Sequence, residues 1–113
     1  MDNKQRIIQE LVPGRQITLA HIIANPDPTL YKSLDVANVT QAIGILTITP
    51  PETALIIADI GIKSAGVQVA SVNMSSGSLV ITGTVSAVEA AINAILQYVG
   101  NTLGFEICSL SKT

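Results

Sequence analysis

The sequence is poor in charged and aromatic residues. Only 12% of its 113 residues are charged and 3% are aromatic, whereas about a quarter of an average globular protein is charged. A chain of this length forms one domain with a high ratio of surface to volume. Because so few charges cannot cover that surface, while 48% of the residues are hydrophobic, we expect the domain to bury part of its outside against copies of itself.

Other scarcities exclude whole classes of protein. The net charge is −2, the six basic residues are scattered, and three residues are aromatic, so the chain offers neither a basic surface for phosphates nor a platform on which bases could stack. Nucleic acid is therefore not an expected partner. The single Cys108 cannot form an intrachain disulfide, which fits a reducing cytosol.

A membrane location is not expected either. The longest stretch without charge, 64–88, is interrupted by Ser, Thr, Asn, Gln and Gly, whereas a spanning helix needs about 20 mainly apolar residues. The N-terminus leads into no long apolar segment, so a secretory signal is not predicted. Association between soluble copies is left as the better account of the composition.

Capping residues and apolar content predict two helices, over 50–65 and over 85–102. The first is apolar on most sides, which is typical of a helix buried on more than one side. The second carries a narrow polar stripe and many small residues, which favour close packing. Each is expected to begin with a capping box, formed by Thr49 with Glu52 and by Ser86 with Glu89.

Strands are predicted over 16–23, 42–49, 67–73 and 79–83, and the last two form a hairpin around the turn 73–78. Without the first strand, the order is β-α-β-β-α, one strand short of a ferredoxin-like βαββαβ unit. The segment 105–109 is too short to supply the missing strand convincingly, whereas 16–23 precedes the motif. The sequence therefore predicts an α+β fold in which a circular permutation has moved the last strand to the front.

The N-terminal segment is expected to lie outside this unit. Arg6, Ile7, Ile8, Gln9, Glu10, Leu11 and Val12 form a short extended candidate that ends at a Pro-Gly turn. A lone strand is marginal in water, so we expect it to be ordered by other subunits. We accordingly divide the chain into an extension, 1–14, and a domain, 15–113.

No catalytic or metal-binding constellation is evident in the sequence. His21, the only histidine, alternates with Ile17, Leu19 and Ile23 along a predicted strand, and we assign it a structural role. Cys108 has no nearby partner and is interpreted as a small buried residue. A zinc site needs about four ligands at typical spacings, and the dispersed carboxylates do not supply them. We expect neither an enzyme nor a cofactor.

Two features stand out, each with a simpler alternative. The turn formed by Asn73, Met74, Ser75, Ser76, Gly77 and Ser78 offers hydroxyls and free N–H groups to a small polar solute, although an ordinary polar hairpin is the simpler interpretation. Lys63 stands alone near the end of an apolar helix. It either complements the helix dipole or makes a contact across a subunit edge.

The stretches 6–26 and 42–50, together with 85–89 and the tail around Cys108, resemble the circularly permuted shell proteins of bacterial microcompartments. These proteins belong to ethanolamine-, propanediol- and choline-utilisation compartments. The resemblance covers nearly the whole chain. It implies the permuted ferredoxin-like BMC fold, an antiparallel sheet with helices packed on it, assembled into cyclic homohexamers that tile the compartment shell in the cytoplasm. The implied partners are its own copies, other shell proteins and encapsulated enzymes.

The resemblance also implies roles for particular residues. The turn from Asn73 to Ser78 would line a pore on the six-fold axis, and Arg6 to Val12 would form one strand of a six-stranded barrel over it. Lys63 would be the edge lysine of the tile. Asn25 stands where unpermuted shell proteins carry an edge arginine, a loss that bears on flat tiling. Because the turn contains no cysteine, the iron–sulfur cluster of some relatives is not expected.

An alternative from another class is a ferredoxin-like ligand-binding or regulatory module that forms a dimer or trimer. Such a module needs a preformed, partly enclosed pocket, and the sequence contains no convergent charged groups for one. We therefore expect a structural shell protein.

Overall fold

The computed structural model describes residues 14–33 and 41–113, so the predicted barrel strand at Arg6–Val12 lies outside the described residues. Within them the chain forms five strands, two α-helices and two short 3-10 turns (Pro28–Ser33 and Pro51–Thr53). In chain order the main elements are β1 (Gln16–Ile23), β2 (Ala42–Thr49), α1 (Ala54–Ser64), β3 (Gln68–Asn73), β4 (Ser78–Gly83), α2 (Val85–Asn101) and β5 (Ser111–Lys112). The four predicted strands and the second helix are thus confirmed to within one or two residues, whereas α1 begins at Ala54 and not directly after Thr49.

The five strands form one sheet in the order β3-β4-β2-β1-β5. Neighbours are antiparallel, except that β5 runs parallel to β1. The order places β1 parallel to β4 with β2 between them, as β3 is parallel to β2 with β4 between them. In an unpermuted βαββαβ unit, the strand that follows α2 would occupy the position of β1, beside β2 and parallel to β4. The topology therefore confirms the permuted βαββαβ unit.

Both helices pack on one face of the sheet over a core of aliphatic side chains. Leu46 and Ile48 of β2, Ile57 of α1 and Ile92 of α2 are fully buried in it. Gly44 of β2 lets α2 approach closely, because a Cβ there would lie 2.7 Å from Cγ1 of Val88.

A β-bulge changes the predicted face of β1. The register shifts between Ile17 and Leu19, so that Ile17 pairs with the core residue Ile48 whereas Leu19 pairs with Thr47 on the opposite face. Ile17 is accordingly buried and Leu19 is 40% exposed. The prediction that Ile17 shares a face with His21 is therefore wrong, because the extra residue inverts the alternation.

The predicted helix caps are also wrong. Thr49 is still the last residue of β2, a 3-10 turn follows it, and α1 begins after Thr53, which makes no side-chain cap. For α2 the N-cap is Thr84, whose Oγ1 accepts a bond from the N–H of Ala87 at 3.1 Å. Ser86 lies inside the first turn of α2.

The register fixes which features share an end of the sheet. Gln16 pairs with Thr49, and Thr47 pairs with Ser78, so the start of β1 and the turn 73–78 lie at one end, here named the turn end. Ile23 pairs with Ile43 at the other end. Since β2 has eight residues, the two ends are about 25 Å apart.

Candidate functional site

The turn between β3 and β4 is closed by its own polar groups. Oδ1 of Asn73 accepts bonds from the N–H groups of Ser75 (2.8 Å) and Ser76 (3.0 Å). The backbone oxygen of Asn73 accepts a bond from the N–H of Gly77 at 2.8 Å. The expectation that free N–H groups face a solute is therefore wrong for these three residues, because Asn73 occupies them.

Gly77 fastens the turn to the end of β2. Its φ is +79°, and its backbone oxygen accepts a bond from the N–H of Ile48 at 2.8 Å. A Cβ on Gly77 would lie 2.1 Å from the backbone oxygen of Ile48. Since Gly77 is buried, its part in the turn is to allow this close approach rather than to present a side chain.

The exposed surface of the turn is uncharged. Met74 at its tip is 51% exposed, and Asn73, Ser75 and Ser76 are exposed as well. The Oγ atoms of Ser76 and half-buried Ser78 lie 3.0 Å apart. The turn 73–78 thus offers hydroxyl groups, one thioether and no ionised side chain.

Arg15, near the start of the described residues, lies at the same turn end. Arg15 follows Gly14, and its guanidinium lies over the ring of Phe105, 5.2 Å from the centroid. Nη2 of Arg15 donates a bond to the backbone oxygen of Leu103 at 3.4 Å. These contacts hold Arg15 at the turn end.

The two predicted edge residues lie at the opposite end. Lys63 is in the last turn of α1 and Asn25 follows β1, and both are exposed. Nζ of Lys63 is 2.9 Å from Oδ2 of Asp59, and this hydrogen bond, with the charge of the carboxylate, raises the pKa of Lys63. The fold therefore separates the pore candidates from the edge candidates by the length of the sheet.

The outer face of α1 carries an apolar surface that the sequence did not locate. Leu55, Ile56 and Ile62 are 54%, 47% and 52% exposed. The apolar pattern predicted burial on more than one side of this helix, but a single copy buries only one side. Together the outward side chains form a candidate contact surface.

The last residues of the chain lie along the free edge of β1. This C-terminal strap, Phe105–Thr113, contains β5, and His21 holds its end: Nδ1 lies 2.6 Å from Oγ of Ser111 and Nε2 lies 2.9 Å from Oγ1 of Thr113. The structural assignment of His21 is confirmed. Cys108 packs against the core but is only half-buried, so its interpretation as a small buried residue is confirmed in part.

Within residues 14–33 and 41–113, no group of three or more His, Cys, Asp or Glu side chains could hold a metal ion. In the same two ranges, neither α-helix is long and apolar enough to cross a bilayer.

Comparisons with known proteins agree on one family. Residues 42–110 match the model described as the BMC domain. The bacterial microcompartment shell protein EutS of Salmonella typhimurium is 49% identical over 98% of this chain and 99% of its own length. The shell protein PduU of the same organism is 46% identical over 96% of this chain and 93% of its own.

Solved structures of another shell protein, CutR, are similar as well. A flat hexamer of CutR is 42% identical, covers 92% of this chain and 88% of its own, and superposes with a TM-score of 0.85. A CutR dimer with a domain swap is 40% identical, covers 88% of this chain and 100% of its own, and gives a TM-score of 0.67.

Proposed function

Since the chain belongs to the BMC-domain family of bacterial microcompartment shell proteins, we propose that it forms a cyclic homohexameric tile around an axial pore. Its role is structural, in the shell of a bacterial microcompartment. The hexamer is supported by the flat hexamer of the similar CutR. A ring of identical subunits points one end of each copy at the axis and the other at the perimeter, which suits a domain whose two ends differ in chemistry.

The turn end faces the six-fold axis in this proposal. The observation that carries the arrangement is that the turn 73–78 and the start of β1 share one end of the sheet, whereas Lys63 and Asn25 lie at the other. The six extensions would then meet around the axis, where Arg6 to Val12 would form the barrel. Lys63 and Asn25 would face neighbouring tiles.

The pore of such a tile would be lined by uncharged groups. Six copies would each contribute the thioether of Met74 and the hydroxyls of Ser75 and Ser76. An anion would find few backbone donors, because Asn73 occupies three N–H groups of the turn and anion nests require such groups to be free. The ring is therefore suited to small, neutral, hydroxyl-bearing solutes.

Neighbouring copies would cover the exposed side chains at the start of α1. Leu55 and Ile56 follow β2 and the 3-10 turn, so they lie toward the turn end, where subunits around an axis come closest. Burying apolar area contributes about 25 cal/mol for each Å². Ile62 lies beside Lys63 and would contribute to the contact between tiles.

The chemistry of the compartment is a separate step of the proposal. The relatives are structural shell proteins, and we propose that this chain likewise catalyses no reaction and carries no cofactor. It would serve an ethanolamine-, propanediol- or choline-utilisation type of compartment, beside other shell proteins and encapsulated enzymes. Family membership favours this role over the ligand-binding module.

Native mass tests the hexamer. Six chains of 11.8 kDa give about 71 kDa, and we expect that mass by native mass spectrometry, with six-fold rings on electron-microscope grids. A dimer or a trimer as the largest species at micromolar concentration would contradict the tile. That result would favour the ligand-binding module instead.

Lys63→Ala tests the perimeter. Lys63 is 74% exposed, so its loss should leave the hexamer intact, and we expect at least a tenfold rise in the concentration at which sheets or tubes appear by electron microscopy. Lys32→Ala is the matched control, since it removes an exposed lysine from another element and should leave tiling unchanged. Equal tiling by both variants would refute the edge role of Lys63.

A further inference from the structure

Asp27 is an exposed carboxylate that the fold holds in one orientation. Its Oδ1 accepts bonds from the N–H of Thr29 at 2.9 Å and from the hydroxyl of Thr29 at 2.8 Å. Pro26 and Pro28 stand on either side of it, and each proline ring fixes the backbone dihedral φ. A rigid segment therefore presents the carboxylate to solvent, and the bonds from Thr29 leave Oδ2 available.

This carboxylate lies at the end of the sheet opposite the turn end. Asp27 follows the last residue of β1 by four positions, and β1 ends there beside the start of β2. The hydroxyl of Tyr31 donates to the backbone oxygen of Gln41, which ties the 3-10 turn after Asp27 to the same end. Lys63 and Asn25 are at this end as well.

The charge of Asp27 is not neutralised within its own copy by the described residues. The hydrogen bonds from the backbone and the hydroxyl of Thr29 lower the pKa of Asp27, so the group is a carboxylate at neutral pH. Among the described residues, the ion-paired lysines are Lys63 and Lys112, whose partners lie on α1 and α2. A charge that the fold orients in this way is available to another molecule.

Lys63 can bind a second carboxylate. Its ammonium group has three N–H donors, and the pair with Asp59 at 2.9 Å occupies one of them. Both side chains of that pair are at least 60% exposed, and exposed pairs of this kind are weak. Lys63 can therefore reach a carboxylate of a neighbour while it keeps or exchanges Asp59.

Symmetry limits how two such ends meet. Two tiles that meet through the same surface are related by a two-fold axis, so each contact between unlike residues occurs twice. A contact of Lys63 with its own copy would be repulsive. Of the described carboxylates, Glu52 and Glu106 lie at the turn end, and those on α1 and α2 already have lysine partners. Asp27 is the remaining described carboxylate that can neutralise Lys63.

We infer that Asp27 of one tile binds Lys63 of the neighbouring tile, with the reciprocal pair on the other side of the two-fold axis. The inference rests on the proposed hexameric tile, which brings the two ends together. It names the partner of Lys63, and it gives the edge a charged contact although Asn25 carries no charge.

Carbodiimide cross-linking tests this contact on the wild-type protein. The carbodiimide activates a carboxylate, a lysine amine then displaces the urea, and the amide bond that forms contains no spacer, so only groups in contact are joined. Hexamers prepared separately from unlabelled and isotope-labelled protein are mixed, allowed to form sheets and coupled. By mass spectrometry we expect peptides that join Asp27 to Lys63 and contain one labelled and one unlabelled chain.

The link between Asp59 and Lys63 is the internal control. These residues are 2.9 Å apart on one helix, so their link should form within a single chain and carry a single label. Sheets in which Asp27 is joined to Lys63 by single-label links only, or to no lysine, would overturn the inference. A mixed-label link from Asp27 to Lys32, or from Lys63 to Asp59, in place of the expected one would overturn it as well.

Asp27→Asn removes the charge alone. The amide oxygen can still accept both bonds from Thr29, so the segment and the native mass should be unchanged. We expect the concentration at which sheets or tubes appear by electron microscopy to rise at least about fivefold, since each edge loses two pairs. Glu106→Gln is the matched control, because it neutralises an exposed carboxylate at the turn end and should leave tiling unchanged.

A double variant shows whether the two residues act together. Asp27→Asn added to Lys63→Ala should tile no worse than Lys63→Ala alone, because the pair is already broken. Losses that simply add would overturn the pair. A hexamer that forms sheets without the mixed-label link contradicts the pair but not the tile, whereas a native mass below six chains contradicts both, so the two failures are distinguishable.

Discussion

Gly77→Ala is expected to lower the free energy of unfolding by about 2–5 kcal/mol, combining left-handed backbone strain with forced overpacking. The new Cβ would lie 2.1 Å from the backbone oxygen of Ile48, so either the turn or the end of β2 must move. The bond from Ile48 to Gly77 would be lost with that movement. Urea unfolding followed by circular dichroism, at one fixed chain concentration, measures the loss.

Gly14→Ala isolates the steric part of this effect. Gly14 has a φ of +81°, close to the +79° of Gly77, but no atom lies within 4 Å of its Cβ position. The Gly14→Ala substitution should therefore lower the free energy of unfolding only by the backbone strain, about 1–2 kcal/mol. If the two variants were equally stable, the contact between the turn and β2 would not hold the turn in place.

The sequence could predict the turn itself but not the contact between Gly77 and Ile48. A glycine among serines between two strands indicates a hairpin, and an Asn two residues before a Ser favours a side chain that bonds to the following backbone. That second pattern is present at Asn73 and could have shown that the N–H groups are occupied. The position of Gly77 under Ile48 depends on the pairing of β4 with β2, which no local pattern encodes.

Regular elements were predictable because each has a strong local pattern. The apolar run of β2 and the small, aliphatic α2 correspond to strands and helices whose burial the structure confirms. The bulge after Ile17 was not predictable, since an inserted residue leaves no mark on an alternating pattern until its partner strand is known. Both helix caps were misplaced because several Thr and Ser residues compete near each helix start.

The strap shows a different limit of sequence reasoning. A two-residue strand has no propensity signal, and β5 is held by His21 from about 90 residues away along the chain. The segment 105–109 was too short to be predicted as the missing strand, and the structure pairs only Glu106 within it. The sequence suggested no other role for His21. On that ground we predicted that it is a structural residue.

The separation of the turn 73–78 from Lys63 follows from topology alone. β2 carries the chain to the turn end, α1 returns it to the end of Lys63, and β3 brings it back to the turn. The resemblance to shell proteins identified the turn and Lys63 as candidate residues. The strand register shows that they lie at opposite ends of the sheet. A ring of six such domains would bring the six turns together while keeping the lysines at the perimeter.

Leu55→Glu should convert the hexamer into smaller species. Leu55 is 54% exposed in one copy, so the fold of the subunit should be little affected. In the proposed ring the same side chain is buried against a neighbour, and an unpaired carboxylate there costs at least about 2 kcal/mol at each interface. With six interfaces in a ring, that is at least about 12 kcal/mol for each hexamer. Native mass spectrometry at micromolar concentration should then show mainly single chains of about 11.8 kDa.

Leu30→Glu provides the matched comparison. Leu30 is 42% exposed on the 3-10 turn before β2, and the same substitution there should leave the native mass at six chains. Circular dichroism should give the wild-type spectrum for both variants, which separates loss of assembly from loss of folding. A hexamer that survives Leu55→Glu would place the outer face of α1 in contact with solvent. The low content of charged residues predicts that part of the surface is buried between copies. That buried surface would then have to lie on the opposite face of the sheet, where Leu19 is also exposed.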